Sequence, residues 1–476
     1  MVSGRQTSGR VIPFPGRHRK DAGPAPTGRL RRDAKLAAVP VAYAGRRAAG
    51  LGRRMLGRTA AEIDHDIQVR TAEHLVDVLG ELRGCAAKLG QMASVYRSAV
   101  PLVPLEFGEI AGTALARLQD SAPPMLPALV HQVLAEDFGP GWRERFRDFS
   151  DRPAAAASLG QVHRAVWHDG REVAVKVMYP GAQQAVASDL SQLRSVTGII
   201  GAVMPGADVH AVVDMVCSMV GDELDYHREA ANQQRCADAF AGDPDFLVPA
   251  VVEHTEHVLV SDWVEGIALT RLISGGVAVD ERSRWGRRVF RFLEMSYRRC
   301  GLLYSDVHPG NFLMLPDGRL AVVDFGACAG YPRDFRAIVA DISEVLFNGT
   351  PAELDAAVRR HGFVRPGTDF DAEELLRVAA PFLEVLLRDD FRMSVEWLRE
   401  QVNDIVAIRL SNVFRQMTLP PELTPLARKV GTTVGTLCVL GTDGMREDFL
   451  TWWPEVAAAV ARYEQRVTAA RSGDGD

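Results

Sequence analysis

Lysine is scarce in this chain of 476 residues: only Lys20, Lys35, Lys88, Lys176 and Lys429 stand among 55 basic residues. Arginine neither deprotonates nor acts as a compact, flexible point charge, so each lysine in the body is a candidate for chemistry that arginine cannot do. Cysteine is scarce too. Six are scattered (Cys85, Cys217, Cys236, Cys300, Cys328, Cys438) with no C-x-x-C spacing. That argues against a disulfide framework and a zinc site, and points to a reducing cytoplasm. Long apolar runs are missing. The best candidates, near residues 196–207 and 430–441, are short and rich in Gly and Thr, which excludes a membrane-spanning helix there. The N-terminus has arginines but no apolar core of a secretory signal. Finally, the body lacks basic charge. Residues 1–60 carry 14 Lys and Arg against Asp21 and Asp33, so a total of −6 leaves about −18 on the remainder. An acidic body argues against a specific nucleic-acid partner.

What is present has a clear order. Residues 1–40 mix Gly, Pro, Ser and Arg without periodicity and read as a disordered tail, whose charge suits peripheral contact with an anionic membrane. From Ala60 to Ser98 apolar residues recur at helical spacing, and proline-marked turns then frame helices near Leu105–Leu118 and Ala128–Phe138. The period changes after Phe149. Residues 158–166 and 171–178 alternate around Asp169-Gly170, a hairpin whose second strand carries Lys176. Helices are expected over 184–203 and 211–240, strands near 251–253 and 257–263, and a helix over 280–301. A second hairpin turns at Pro316-Asp317-Gly318, and everything after Pro332 reads as helical. The apolar stretch from Val430 to Trp453 reads as core, with an interfacial membrane surface as the alternative. The expected division is a basic tail (1–58), a helical extension (59–145), a small mixed lobe (146–265), a mostly helical lobe (266–465) and a flexible end (466–476).

The sharpest chemistry lies between the lobes. Asp306-Val-His308-Pro309-Gly310-Asn311 is followed 13 residues after the Asn by Asp324-Phe325-Gly326. Phosphoryl transfer from a nucleotide needs a carboxylate at the acceptor and oxygen ligands for Mg²⁺. Asp306 suits the first task. Asn311 and Asp324 suit the second, since Mg²⁺ prefers hard oxygen donors. Upstream, Val173-Ala174-Val175-Lys176 places a strand-borne ammonium where it can reach phosphates. Its carboxylate partner should lie on a helix spanning 219–240, which holds Glu223, Asp225 and Glu229. Glu223 and Glu229 are six residues apart and fall on different helical faces, so they should not share one task.

These motifs together resemble the UbiB/AarF family of atypical kinases, associated with isoprenoid-quinone biosynthesis. The resemblance runs over about residues 60–335. The family's K-x-G-Q stands as Lys88-Leu89-Gly90-Gln91, and its alanine-rich loop as Ala155-Ala156-Ala157-Ser158. Its E-x-D stands as Glu223-Leu224-Asp225, and its E-A-x-N as Glu229-Ala230-Ala231-Asn232. The resemblance implies an α+β, bilobal, protein-kinase-like fold with an N-terminal helical extension. It implies ATP or ADP with Mg²⁺ as cofactors. Lys176 would hold the α- and β-phosphates and pair with Glu229, beneath Ala155, Ala156, Ala157 and Ser158. Asp306 would be the catalytic carboxylate, with Asn311 and Asp324 as metal ligands. Lys88 and Gln91 would cover the cleft near Glu223 and Asp225. The implied substrate is a lipid or isoprenoid small molecule, and the implied place is the cytoplasm, peripheral at a membrane.

Three departures stand out, two from ordinary kinases and one from the family's own pattern. Alanines replace the glycines that let a backbone approach phosphate closely. Tyr304-Ser305-Asp306 stands where the family commonly has His-x-Asp. No peptide-docking segment follows Asp324-Phe325-Gly326. The alternatives are a nucleotide-responsive scaffold without transfer, and a small-molecule phosphotransferase of the aminoglycoside or choline type.

Overall fold

The computed structural model describes residues 124–473 except 158, 189, 192–193, 195–216, 218–220, 222, 333 and 402–412. Lys88, Gln91 and Ser158 therefore lie outside the described residues, as does the extension before residue 124.

The first lobe is built on an antiparallel sheet in the order β1-β2-β3-β6-β5. Its strands are β1 (Phe146–Ala157), β2 (Gly160–Trp167), β3 (Glu172–Met178), β5 (Val251–His254) and β6 (Val258–Asp262). Alternation decides its faces: Val173, Val175 and Val177 are fully buried on one side, which leaves Lys176 to the other. Helix α1 (Pro127–Phe138) lays Val130, Val133 and Leu134 on that valine face, closing a core with Trp142, Phe146, Trp167, Val258 and Val260. Helix α1 and the turn at Trp142, which lie before the expected boundary at 145, thus share the sheet's own core. Strand β1 also begins earlier than the alternation suggests, with register shifts between Phe146 and Ala155 that break the two-residue period.

The turn Asp169-Gly170 forms as expected. Gly170 takes φ 99°, and the Asp169 carboxylate accepts the Arg171 N–H at 2.9 Å. At the other end of this hairpin Gly160 pairs with Met178, so closely that a Cβ at 160 would stand 2.2 Å from the Val177 carbonyl oxygen. Gly160→Ala should therefore destabilise the protein by about 3 kcal/mol, as strain in a paired backbone rather than loss of a side chain. Comparing urea midpoints of the variant and the parent checks this, and an unchanged midpoint would contradict it.

Helix α2 (Tyr226–Ala239) follows. The long helix expected over 211–240 is interrupted at residues 223–225: Cys217 and Gly221 are helical, α2 starts afresh at Tyr226, and 211–216, 218–220 and 222 lie outside the described residues. Asp225 is the cap of α2, accepting the Arg228 N–H at 2.9 Å, and Glu223 sits in the turn before it. A carboxylate at this point satisfies free N–H groups and starts a helix rather than continuing one. Of the helix expected over 184–203, residues 182–188, 190, 191 and 194 are helical and the remainder lies outside the described residues.

The second lobe carries two small sheets. One has the order β4-β10-β9-β7, made of β4 (Phe246–Leu247), β7 (Ile267–Ala268), β9 (Phe312–Met314) and β10 (Leu320–Val322). The other pairs β8 (Leu302–Tyr304) with β11 (Cys328–Gly330). Around them lie α3 (Leu269–Ser274), α4 (Val279–Met295), α5 (Phe335–Asn348), α6 (Pro351–Arg360), α7 (Ala372–Leu387), α8 (Thr424–Leu440), α9 (Arg446–Trp452) and α10 (Pro454–Gly473). The helix expected over 280–301 ends in a wider π turn, Ser296–Cys300, which Gly301 closes in the left-handed conformation at φ 61°. Residues 466–473 continue α10, so the flexible end expected from 466 is helical to Gly473.

The core of this lobe joins Leu269, Phe292, Leu302, Tyr304, Val307, Phe312, Val322, Phe325 and Leu440 to Cys236, Ala237 and Phe240 of α2. The first turns of α2 pack elsewhere, with Tyr226 and Ala230 against Met178 and Leu259 of the upper sheet. One helix thus contributes to both cores. The five described cysteines are free thiols and buried. Among the described residues no helix is long and apolar enough to cross a membrane.

Candidate active site

Lys176 stands on β3, facing away from the valine core, and Glu229 stands one turn into α2. The lysine Nζ donates to both oxygens of Glu229, at 2.7 and 2.9 Å, and lies 3.7 Å from Oδ2 of Asp324. It also sits 5.1 Å above the Tyr226 ring, a cation–π contact that the sequence did not suggest. Burial would lower the pKa of Lys176, but the carboxylates of Asp324 and Glu229 outweigh it and hold it well above the ordinary value, so the ammonium is permanent. Glu229 is held above the usual carboxylate range, by burial first and by Asp324 and Glu223 next, against the pull of Lys176. Glu223 thus acts electrostatically on the same ammonium as Glu229 although it lies outside the helix. The expected separation of their tasks by helical face does not apply to residues on different elements.

The polar loop is fixed from several sides. Asn311 donates its side-chain N–H to the Asp306 carbonyl at 3.1 Å, and the His308 N–H reaches the same oxygen at 2.8 Å. Ser305 donates both its hydroxyl (2.6 Å) and its N–H (3.1 Å) to the Ala327 carbonyl, tying the loop to the chain just after Gly326. Asp324 accepts the Gly326 N–H at 3.1 Å. Asn232 on α2 donates to the Phe325 carbonyl at 3.3 Å, and Arg228 donates to that of Gly326 at 3.4 Å. Glu229, Asp324 and the loop are therefore joined through one short stretch of chain.

Tyr304 fills the place where the family commonly has histidine. It is fully buried, its ring meets Phe325 edge-on at 5.7 Å, and it packs on Phe292 and Phe312 at 5.7 and 5.9 Å. Burial keeps its phenol neutral. Packing by an aromatic ring braces the loop against Phe325 here.

Ala155, Ala156 and Ala157 lie in strand β1 and pair in register with Val162, Gln161 and Gly160. They form the arm of a hairpin, where the resemblance implied a loop. A ladder engages backbone groups that a phosphate-cradling loop would leave free. Asp225, expected over the cleft, caps α2.

As for a metal, the donor set fits Mg²⁺. Asn311 uses its N–H group on the loop, which leaves its amide oxygen as a hard donor, and Asp324 supplies carboxylate oxygen. Together the described side chains offer a fixed cation, a buried carboxylate loop and two oxygen donors.

A sheet lobe and a helical lobe, bridged by a lysine–glutamate pair, define a kinase-like protein. Residues 117–355 match the ABC1 atypical kinase-like domain, and the chain belongs to that family. The chain is 31% identical over 330 residues to the mitochondrial atypical kinase coq-8 of Caenorhabditis elegans, covering 67% of this chain and 42% of that protein. It is 29% identical over 366 residues to the mitochondrial atypical kinase COQ8B of Danio rerio, covering 74% and 55%. The chain thus spans about half the length of these relatives. Among solved structures, Rv3197 of Mycobacterium tuberculosis, in complex with erythromycin, matches 84% of this chain and 100% of its own, with a TM-score of 0.58 and 34% identity.

Proposed function

We propose that this protein is an ATP- and Mg²⁺-dependent atypical kinase or ATPase that acts on, or supports the processing of, a lipid or isoprenoid-quinone-related small molecule. The observation that carries the reading is Lys176 held between Glu229 and Asp324, with the Asp306–Asn311 loop tied to the same stretch of chain. In this reading Lys176 binds the α- and β-phosphates, and Glu229 fixes its direction. Asp306 orients the acceptor or water and takes its proton. Asn311 and Asp324 hold Mg²⁺, which neutralises charge on the phosphates. Ala155, Ala156, Ala157 and Ser158 would cover the nucleotide, and Lys88 and Gln91 would cover the cleft near Glu223 and Asp225, as the family resemblance implies. Relatives named coq-8 and COQ8B support the quinone-related substrate, and the erythromycin complex of Rv3197 supports a small organic ligand over a peptide. The basic N-terminus would provide peripheral contact with an anionic membrane from the cytoplasm, and no specific nucleic-acid partner is proposed.

One observation favours a second reading. The paired alanines of β1 leave fewer free N–H groups for phosphates than a glycine loop, which suits a scaffold that senses nucleotide without transferring phosphate.

The first test is thermal stability with ATP or ADP, with and without Mg²⁺. A nucleotide at 100 times its Kd adds about 2.7 kcal/mol. The expected result is a Mg²⁺-dependent rise in the melting point of the parent that Asp324→Asn loses. No rise with any nucleotide in folded protein would overturn the nucleotide site.

A further inference from the structure

We propose that helix α8 positions the catalytic loop through two threonines one turn apart, Thr436 above all, and that these set the turnover rate without touching nucleotide. The inference rests on the reading of Asp306 as the catalytic carboxylate.

The argument is an accounting of backbone carbonyls. Residues 305–308 lie between β8 and the turn at Pro309 and belong to neither sheet nor helix, so each buried carbonyl must find a partner outside regular structure. The Asp306 carbonyl takes the Asn311 amide and the His308 N–H. Its two neighbours are met from α8: Thr436 Oγ1 donates to Val307 O at 2.6 Å, and Thr432 Oγ1 lies 3.2 Å from Ser305 O. Asp306 is thereby bracketed. Both threonines are buried, Thr436 completely, as is the Val307 side chain, so water is no substitute donor.

The two tethers are unequal. A hydroxyl has one hydrogen, and Thr432 has two more acceptors within reach on its own helix, Arg428 O at 3.0 Å and Lys429 O at 3.2 Å. Thr436 has the shorter bond to the loop. Thr436→Val keeps the shape and removes the donor. Losing it frees the peptide between Asp306 and His308, and misplacing a reacting group by about 1 Å can cost about 100-fold in rate.

The test uses the full chain and four measurements: kcat and KM for ATP turnover, Mg²⁺–ATP affinity by calorimetry, and hydrogen exchange across residues 304–311. Thr436→Val should lower kcat about 10- to 100-fold with KM and affinity little changed, and exchange at 306–311 should rise. Thr436→Ser, which restores the hydroxyl, should recover most of the turnover, and Thr432→Val should have the smaller effect. Wild-type kcat and exchange in Thr436→Val would overturn the proposal. So would equal loss of turnover and affinity with no rescue by serine, which marks a merely structural role. If Thr436→Val does not fold, Thr432→Val and Thr436→Ser decide the question by the same readings, with unchanged exchange in Thr432→Val counting against it. A parent that binds no nucleotide would remove the reading of the site, whereas exchange at 306–311 would still accept or reject the tether.

Discussion

Asp306→Asn is expected to reduce ATP turnover by about three orders of magnitude while leaving Mg²⁺–ATP affinity nearly unchanged. The substitution keeps size and removes the carboxylate proposed to orient the nucleophile and take its proton. The loop should survive it, because its backbone is held by Asn311, Ser305 and the threonines of α8, none of which uses the Asp306 carboxylate for the bonds described. Phosphate release at saturating ATP, set beside calorimetric affinity, separates the two quantities. Turnover equal to the parent's would remove Asp306 from the chemistry and favour the scaffold reading or an adventitious activity. Loss of affinity together with rate would instead place its carboxylate at the metal.

The second large effect concerns stability. Lys176→Met should cost about 3 kcal/mol and abolish nucleotide-dependent stabilisation. The lysine is the counter-ion for Glu229, whose side chain is 2% exposed, and it separates that carboxylate from Asp324. Without it, burial and the neighbouring carboxylates push Glu229 further toward the neutral form, so part of the cost is that of binding a proton at pH 7. The shift should therefore shrink as pH is lowered toward 5, where Glu229 is protonated more easily. Urea midpoints of parent and variant at pH 5 and pH 8 check both statements. An equal difference at the two values would show that Glu229 is not the group left exposed to the loss. Lys176→Arg should not restore nucleotide binding, because a planar guanidinium does not fit a site shaped for a compact ammonium.

Much of the upper lobe was legible in the residues. The hairpin at Asp169-Gly170 and the valine alternation required nothing beyond local turn chemistry and a period of two, and they put Lys176 on the correct face. The Asp306 loop and Asp324 were legible as an ordered set. Strands β4, β7, β8 and β11 were not, since two or three residues are too few to display a period. The start of α2 was misjudged because Asp225 reads equally well as a helical residue and as a cap, and only its bond to Arg228 decides. Tyr226 beneath Lys176 and the threonines of α8 were missed for another reason. Their partners are far away in sequence, and a Thr at 432 and 436 in an apolar stretch signals polarity inside a helix without saying what it serves. Their four-residue spacing was the available clue.

Because α2 is rooted in both lobes, it behaves as an axle and not as a lever. Its first turns grip Met178 and Leu259, and its last turns are wedged among Phe246 and Phe292. Swinging Glu229 out of reach of Lys176 would mean prying Phe240 out of the lower core, so the pair should remain engaged with or without ligand. Among the described contacts, taking that pair apart is therefore costly. Under the proposed function, control would then act at the doorway, on what is admitted to the cleft, with the Lys176–Glu229 pair staying assembled behind it.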